Sequence, residues 1–340
     1  MKGALLVNLG SPDSTSPKDV KKYLNEFLMD ERVVDLPYLF RAILVKGIIL
    51  NTRPKQSAKA YKKIWWEEGS PLIVLSERLR DKVADRSTIP VGLAMRYGKP
   101  SLESGIRALV DNGVTEIFLL PLYPQFAMAT TETIVVLANE IIAEKFPKVK
   151  LVDFPKFYRD SSYIEVLSQS IKTYLDKDKP DLLLFSYHGV PERHIRKSDP
   201  TKSHKMKVVG SCCENNPLAQ ETCYRFQCYE TTRLVAEALD LKEGSYSTSF
   251  QSRLGVDPWL QPYTDQTISA LPDKGVKRLS VVTPAFVSDC LETLEEIGME
   301  AKEDFIENGG EWFSTIPCLN DRDDWAQVIA NWINNWAKQN

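Results

Sequence analysis

The sequence predicts an α/β protein of two similar Rossmann-like halves, each a parallel sheet flanked by helices, with a cleft between them. Three observations carry that expectation. The apolar segments are continuous rather than alternating, the pattern of parallel strands covered on both faces. Helical stretches separate them, giving βαβ units that cross over right-handed. The plan of the first half also recurs, landmark by landmark, in the second.

Taken in order, the first strand is Leu5-Leu6-Val7-Asn8-Leu9-Gly10, closed by a turn at Ser11-Pro12, and Leu182-Leu183-Leu184-Phe185-Ser186-Tyr187-His188-Gly189-Val190-Pro191 answers it near the midpoint. Leu9 then lines up with His188. Met95-Arg96-Tyr97-Gly98-Lys99-Pro100 is matched by Ser252-Arg253-Leu254-Gly255-Val256-Asp257-Pro258, each leading into a helical segment. Asp111-Asn112-Gly113-Val114 feeds the strand Ile117 to Leu122 as Asp273-Lys274-Gly275-Val276 feeds Leu279 to Thr283-Pro284. Helices are expected over Pro17 to Met29, Ser101 to Asp111, Glu132 to Phe146, Cys228 to Leu239 and Asp324 to Trp336. The halves are drawn at 1–160, joined by the last helix within 322–340, and 161–321, with the linker near Tyr158 to Ser162.

The 340 residues suggest about two globular units at roughly 150 residues each. With 43 Lys and Arg against 46 Asp and Glu, a dedicated nucleic-acid binder is excluded, since no basic excess or stripe is present. The opening apolar run is too short for a signal peptide, so a cytoplasmic protein is expected. Leu36 to Leu50, interrupted by Arg41 and Lys46, falls short of the ~20 residues that span a bilayer. In a reducing compartment the six cysteines read as thiols or metal ligands rather than a disulfide framework.

In open α/β sheets ligands sit beyond the carboxyl ends of the strands, so the residues there are the candidates for chemistry. His188 ends a buried strand before a Gly-x-Pro turn, where a neutral imidazole can take a proton or ligate a metal. Glu292 and Glu296 follow the last matched strand, four apart on one helical face, where like charges repel unless a cation relieves them. A capping box of Asp289 with Glu292 is the competing structural reading. Two or three such ligands are few for a resident metal and suit an ion in transit. The first half instead offers Leu9, Arg96, Tyr97, Tyr123 and Phe126, joined by Trp259, a flat aromatic lining with an arginine placed as a carboxylate clamp.

The sequence closely resembles the ferrochelatase family over nearly its whole length. The likeness rests on Leu6-Val7-Asn8-Leu9-Gly10-Ser11-Pro12, Met95-Arg96-Tyr97, Tyr123-Pro124-Gln125-Phe126 with Thr130-Thr131, Ser186-Tyr187-His188-Gly189-Val190-Pro191, Phe250-Gln251-Ser252-Arg253 with Pro258-Trp259-Leu260, and Phe286-Val287-Ser288-Asp289-Cys290-Leu291-Glu292-Thr293-Leu294. The resemblance implies insertion of ferrous iron into protoporphyrin IX, with coproporphyrin III as the alternative substrate. A two-lobed binding protein without turnover is the rival from another class. It also implies His188 and Glu292 as the catalytic, metal-contacting pair, with Glu296 on the ion's path, and a porphyrin held by Leu9, Arg96, Tyr97, Tyr123 and Trp259. Leu36 to Leu50 resembles the apolar lip through which membrane-associated relatives touch lipid; a buried helix is the alternative. Cys290 stands where many members have histidine. Some relatives carry a 2Fe-2S cluster, and Cys212, Cys213, Cys223 and Cys228 are four thiols in one segment, although their spacing is not a double Cys-x-x-Cys and leaves zinc or plain thiols open.

Overall fold

The computed structural model describes residues 1–202, 213, 216–253, 255 and 257–339. Strands β1 (Lys2–Asn8), β2 (Val91–Met95), β3 (Glu116–Pro121) and β4 (Lys150–Asp153) form one sheet, and β5 (Leu182–His188), β6 (Tyr246–Gln251), β7 (Arg278–Val282) and β8 (Trp312–Ile316) a second. Every pair is parallel. The orders β2-β1-β3-β4 and β6-β5-β7-β8 are the same topology twice, which is the sequence repeat expressed in space. It extends to single backbone angles. Gly113 and Gly275 both end a helical turn in the left-handed region, at φ +83° and +87°, where a side chain would be strained.

The central strands are apolar because both faces are covered: Leu5, Leu6 and Val7 are fully buried, as are Leu184 and Phe185. β6 departs from this pattern. Its Tyr-Ser-Thr-Ser-Phe-Gln sequence carries hydroxyls into the interior, where Ser249 Oγ meets Thr264 Oγ1 at 2.8 Å. The helices begin where side chains can cap them: Ser16 Oγ accepts from Asp19 N, with Pro17 opening the helix Pro17–Leu28, and Ser101 Oγ accepts from Ser104 N. The helix expected from Cys228 starts earlier, at Tyr224, because the Cys223 sulfur accepts from Phe226 N and serves as its cap. Among the described residues three segments are widened to i→i+5 bonding, Ile43–Ile49, Met128–Glu132 and Glu292–Ala301, a geometry that periodicity does not announce.

The largest apolar cluster runs through both halves, joining Leu6, Leu79 and Phe118 to Tyr163, Tyr187 and Trp325. The last helix, Asp323–Ala337, packs on Pro71–Ala84 of the first half and also on Ser161–Asp178. Phe118 and Trp336 stack at 4.6 Å. Over the first half, Tyr38, Leu39, Phe40, Ile43 and Ile48 are exposed, while Val45, Ile49 and Leu50 pack inward. The stretch 36–50 is therefore an apolar ledge and not the buried helix offered as its alternative. Among the described residues no helix is long and apolar enough to cross a membrane.

Candidate active site

In each sheet the strand order reverses around its first strand, so a crevice opens between β1 and β3 and another between β5 and β7. His188 is the last residue of β5, and the loop after β7 leads into the widened helix that begins at Glu292. The two residues thus flank the second crevice from adjacent strands. A cavity of about 700 Å³ there is lined by His188, Glu292 and Glu296, with Ser252 and Arg253 beyond β6 and Arg53, Lys59 and Lys63 on the helix Leu50–Ile64 opposite.

The backbone fixes the imidazole. His188 Nδ1 lies 2.6 Å from the carbonyl of Gly189, so that nitrogen carries the proton and Nε2 is left as the acceptor or ligand. The Tyr224 hydroxyl donates to the His188 carbonyl at 2.8 Å, and the Phe286 ring stands edge-on to the imidazole at 6.3 Å. Gly189 is required by space: a Cβ there would come 2.9 Å from the Ser252 carbonyl, 3.0 Å from that of Gln251 and 3.3 Å from the Trp259 ring. Trp259 accordingly closes over the histidine turn, with its backbone bridged to Pro191.

Glu292 is not a capping residue. The Asp289 carboxylate is already taken by Thr293 Oγ1 at 2.9 Å, Asn320 Nδ2 at 2.7 Å and Cys318 N at 3.3 Å, and the Asp289 N–H donates to Asn320 Oδ1. This displaces the capping-box reading and leaves the Glu292 side chain to the cavity. Gln251 steadies its backbone, accepting from Ser186 Oγ at 2.9 Å and donating toward the Glu292 carbonyl at 3.4 Å. Glu296 receives both of its close contacts from Ser252 Oγ, at 2.7 and 2.8 Å. Burial raises the Glu296 carboxyl above the usual range; the Ser252 hydrogen bond and His188 pull it down, and Glu292 pushes it up again. The three predicted residues therefore share one cavity. Among the described residues no three His, Cys, Asp or Glu side chains converge tightly enough to hold an ion as a group.

The first half meets this site with tyrosines. Tyr23, Tyr61 and Tyr123 are buried, and their hydroxyls are raised by burial first and by Glu292 among other groups. Tyr123 donates to Asn8 Oδ1 at 2.9 Å, and the same oxygen accepts from Leu9 N, so Asn8 ties Tyr123 to the turn after β1. Arg96 and Tyr97, expected as clamp and wall, are tied into a network of their own. The Arg96 guanidinium is engaged by Asp30 and by Thr133, Tyr97 donates to the same Asp30 oxygen at 2.9 Å, and Tyr97 is fully buried. Phe126 is held through its backbone, its N–H donating to Gln227 at 2.7 Å.

Cys290 sits beside Glu292, and burial first, then that carboxylate, raise its thiol. Cys213, Cys223 and Cys228 are buried around the start of the helix Tyr224–Ala238, and Cys212 lies outside the described residues. Sequence reasoning assigned no role to Asp30, Gln251, Ser252 or Lys63. For Gln251-Ser252 a signal existed, since the pair lies within the Phe250-Gln251-Ser252-Arg253 motif that carries the family resemblance.

A family model described as Ferrochelatase matches residues 1–337. A ferrochelatase of Pseudomonas fluorescens strain Pf0-1 is 50% identical over 96% of this chain and 95% of its own, and one of Opitutus terrae is 46% identical over 99% and 98%. Among solved structures, SirB from Bacillus subtilis with Fe3+ aligns over 99% of this chain and 96% of its own, with a TM-score of 0.56 at 13% identity. The sirohydrochlorin chelatase SirB of Bacillus subtilis subspecies spizizenii, in complex with cobalt, gives 0.52 at 11%. At those identities the two structures speak for the fold alone.

Proposed function

This chain belongs to the ferrochelatase family, and from that premise we propose that His188 and Glu292 carry out the insertion of ferrous iron between them, with Glu296 behind as the ion's approach. The chain is a lyase that places metal into a porphyrin for heme synthesis, with iron and porphyrin as its substrates. The observation that carries the residue assignment is that all three side chains line one cavity although 104 residues (292 minus 188) separate the first pair in sequence. Metallation requires two pyrrole protons to leave. With Nδ1 committed to the Gly189 carbonyl, His188 Nε2 is the base, or the first nitrogen ligand, presented to the ring centre. Glu292 supplies a negative oxygen to the incoming cation. Glu296, its carboxyl raised by burial, is suited to bind the ion weakly and pass it on, or to take up a proton.

Protoporphyrin IX is the substrate we assign. Extra carboxylates on coproporphyrin III would call for free cations near Arg96, and that guanidinium is already held by Asp30. An anaerobic assay offering both porphyrins with ferrous iron tests this directly: a higher kcat/KM for coproporphyrin III would reverse the assignment. Leu9, Tyr123 and Trp259 are read as the ring's contacts, with Arg96 and Tyr97 supporting the wall. We further read residues 1–160 with 322–340, and 161–321, as the two functional halves. The exposed Tyr38, Leu39, Phe40, Ile43 and Ile48 support a peripheral contact with lipid, checked by sedimentation with vesicles.

The cysteine group is the finest part of the reading. Cys213, Cys223 and Cys228 are each buried, and burial pushes the Cys228 thiol up. Iron and acid-labile sulfide analysis of anaerobically purified protein, with a visible spectrum, separates a 2Fe-2S cluster from plain thiols.

A further inference from the structure

Lys63 Nζ, on the helix Leu50–Ile64, lies 2.6 Å from Glu295 Oε1 on the widened helix Glu292–Ala301. Both residues line the cavity that holds His188, Glu292 and Glu296. Their surroundings are lopsided. The Glu295 side chain is only 8% exposed, whereas that of Lys63 is half exposed at the cavity's edge. Leu291, one turn back, and the neighbouring Leu294 pack on Val20, Ala58, Tyr61 and Ile64, so the two helices are already joined by an apolar seam that does not depend on the ion pair. The pair therefore adds charge control rather than adhesion: it cancels one carboxylate in a wall that also presents Glu292, Glu296, Glu300 and Asp304.

We propose that Lys63 and Glu295 form an electrostatic gate for the cation, neutralising Glu295 so that the incoming metal is drawn past it to Glu296 and Glu292. The inference rests on the iron-inserting reading of this cavity. Lys63 and Glu295 act as positioning residues, since neither needs to touch the porphyrin.

Steady-state iron insertion by Lys63→Met, Glu295→Gln, Lys63→Arg and the exchanged pair Lys63→Glu/Glu295→Lys tests it. Removing Lys63 exposes an extra negative charge, and the KM for ferrous iron should fall about threefold. Removing Glu295 leaves an uncompensated ammonium at the entrance, and the same KM should rise about threefold, the scale of one partly screened charge. Lys63→Arg should restore the wild-type KM, the exchanged pair should return most of the way, and the porphyrin KM should stay fixed throughout. Iron KM values that move in the same direction in both single variants, as a structural brace would give, overturn the gate while leaving the activity reading intact. Absence of iron insertion by the unaltered chain would sink that reading instead.

Discussion

The two halves share a topology and part company at their strand ends. Beyond β1 and β2 the polar groups satisfy one another: Asn8 joins Tyr123 to Leu9 N, and Asp30 collects Arg96, Tyr97 and Thr133. Beyond β5 and β7, His188, Glu292 and Glu296 line a cavity, with Ser252 donating to Glu296 and His188 Nε2 turned free of the Gly189 carbonyl. On the proposed function, the difference is a division of labour between two copies of one plan. A closed network makes a stiff wall that can hold a flat ligand in a strained shape, while an open set of base and carboxylates supplies the groups that must change partners during reaction.

The largest expected effect breaks the open side. Glu292→Gln keeps the shape of the side chain and removes its charge, and iron insertion should fall at least about a hundredfold with the circular dichroism spectrum unchanged. On the closed side the effect should appear as stability. Asp30→Asn leaves the nearly buried Arg96 without its counter-ion, and urea denaturation should show a loss of about 3 kcal/mol together with a raised porphyrin KM.

A third contrast concerns acid. Asp35, beside the apolar ledge, is held by Arg193 and Lys197 from the helix Glu192–Ser198, with His194 Nε2 at 3.4 Å. Burial alone would raise its carboxyl, but those cations outweigh it and bring it from 3.8 to about 2. The unfolded chain thus binds the proton more readily. The stability this residue contributes is complete above pH 3.8 and is lost as pH falls to about 2. Asp35→Asn should flatten that part of the acid-denaturation curve, and an unchanged curve would show that the cluster contributes nothing. The smallest effect is the most local. Ser252→Ala removes the hydrogen bonds that favour ionised Glu296, so its carboxyl should rise further and the acid limb of the kcat/KM profile should move to higher pH.

How much of this was legible in the sequence follows from which forces leave a local trace. The continuous apolar runs of β1, β3, β5 and β7, the glycines at 113 and 275, and the helix limits, off by a residue or two for Pro17–Leu28 and Thr133–Lys145, all came through. β6 did not, because its buried hydroxyls are satisfied by distant partners such as Thr264. His188, Glu292 and Glu296 could be found because strand ends define a crevice in this fold class. Asp30 with Arg96, and Lys63 with Glu295, could not: each pair joins separate elements, and the partners stand 66 and 232 positions apart in the chain. Nor does any period mark the i→i+5 widening that begins at Glu292.

The division between a holding half and a reacting half is tested most directly by following porphyrin binding, through fluorescence quenching, and anaerobic iron insertion on the same preparation of His188→Ala. Binding within about twofold of the unaltered protein with iron insertion abolished is the expected result. Insertion at a near wild-type rate would contradict it.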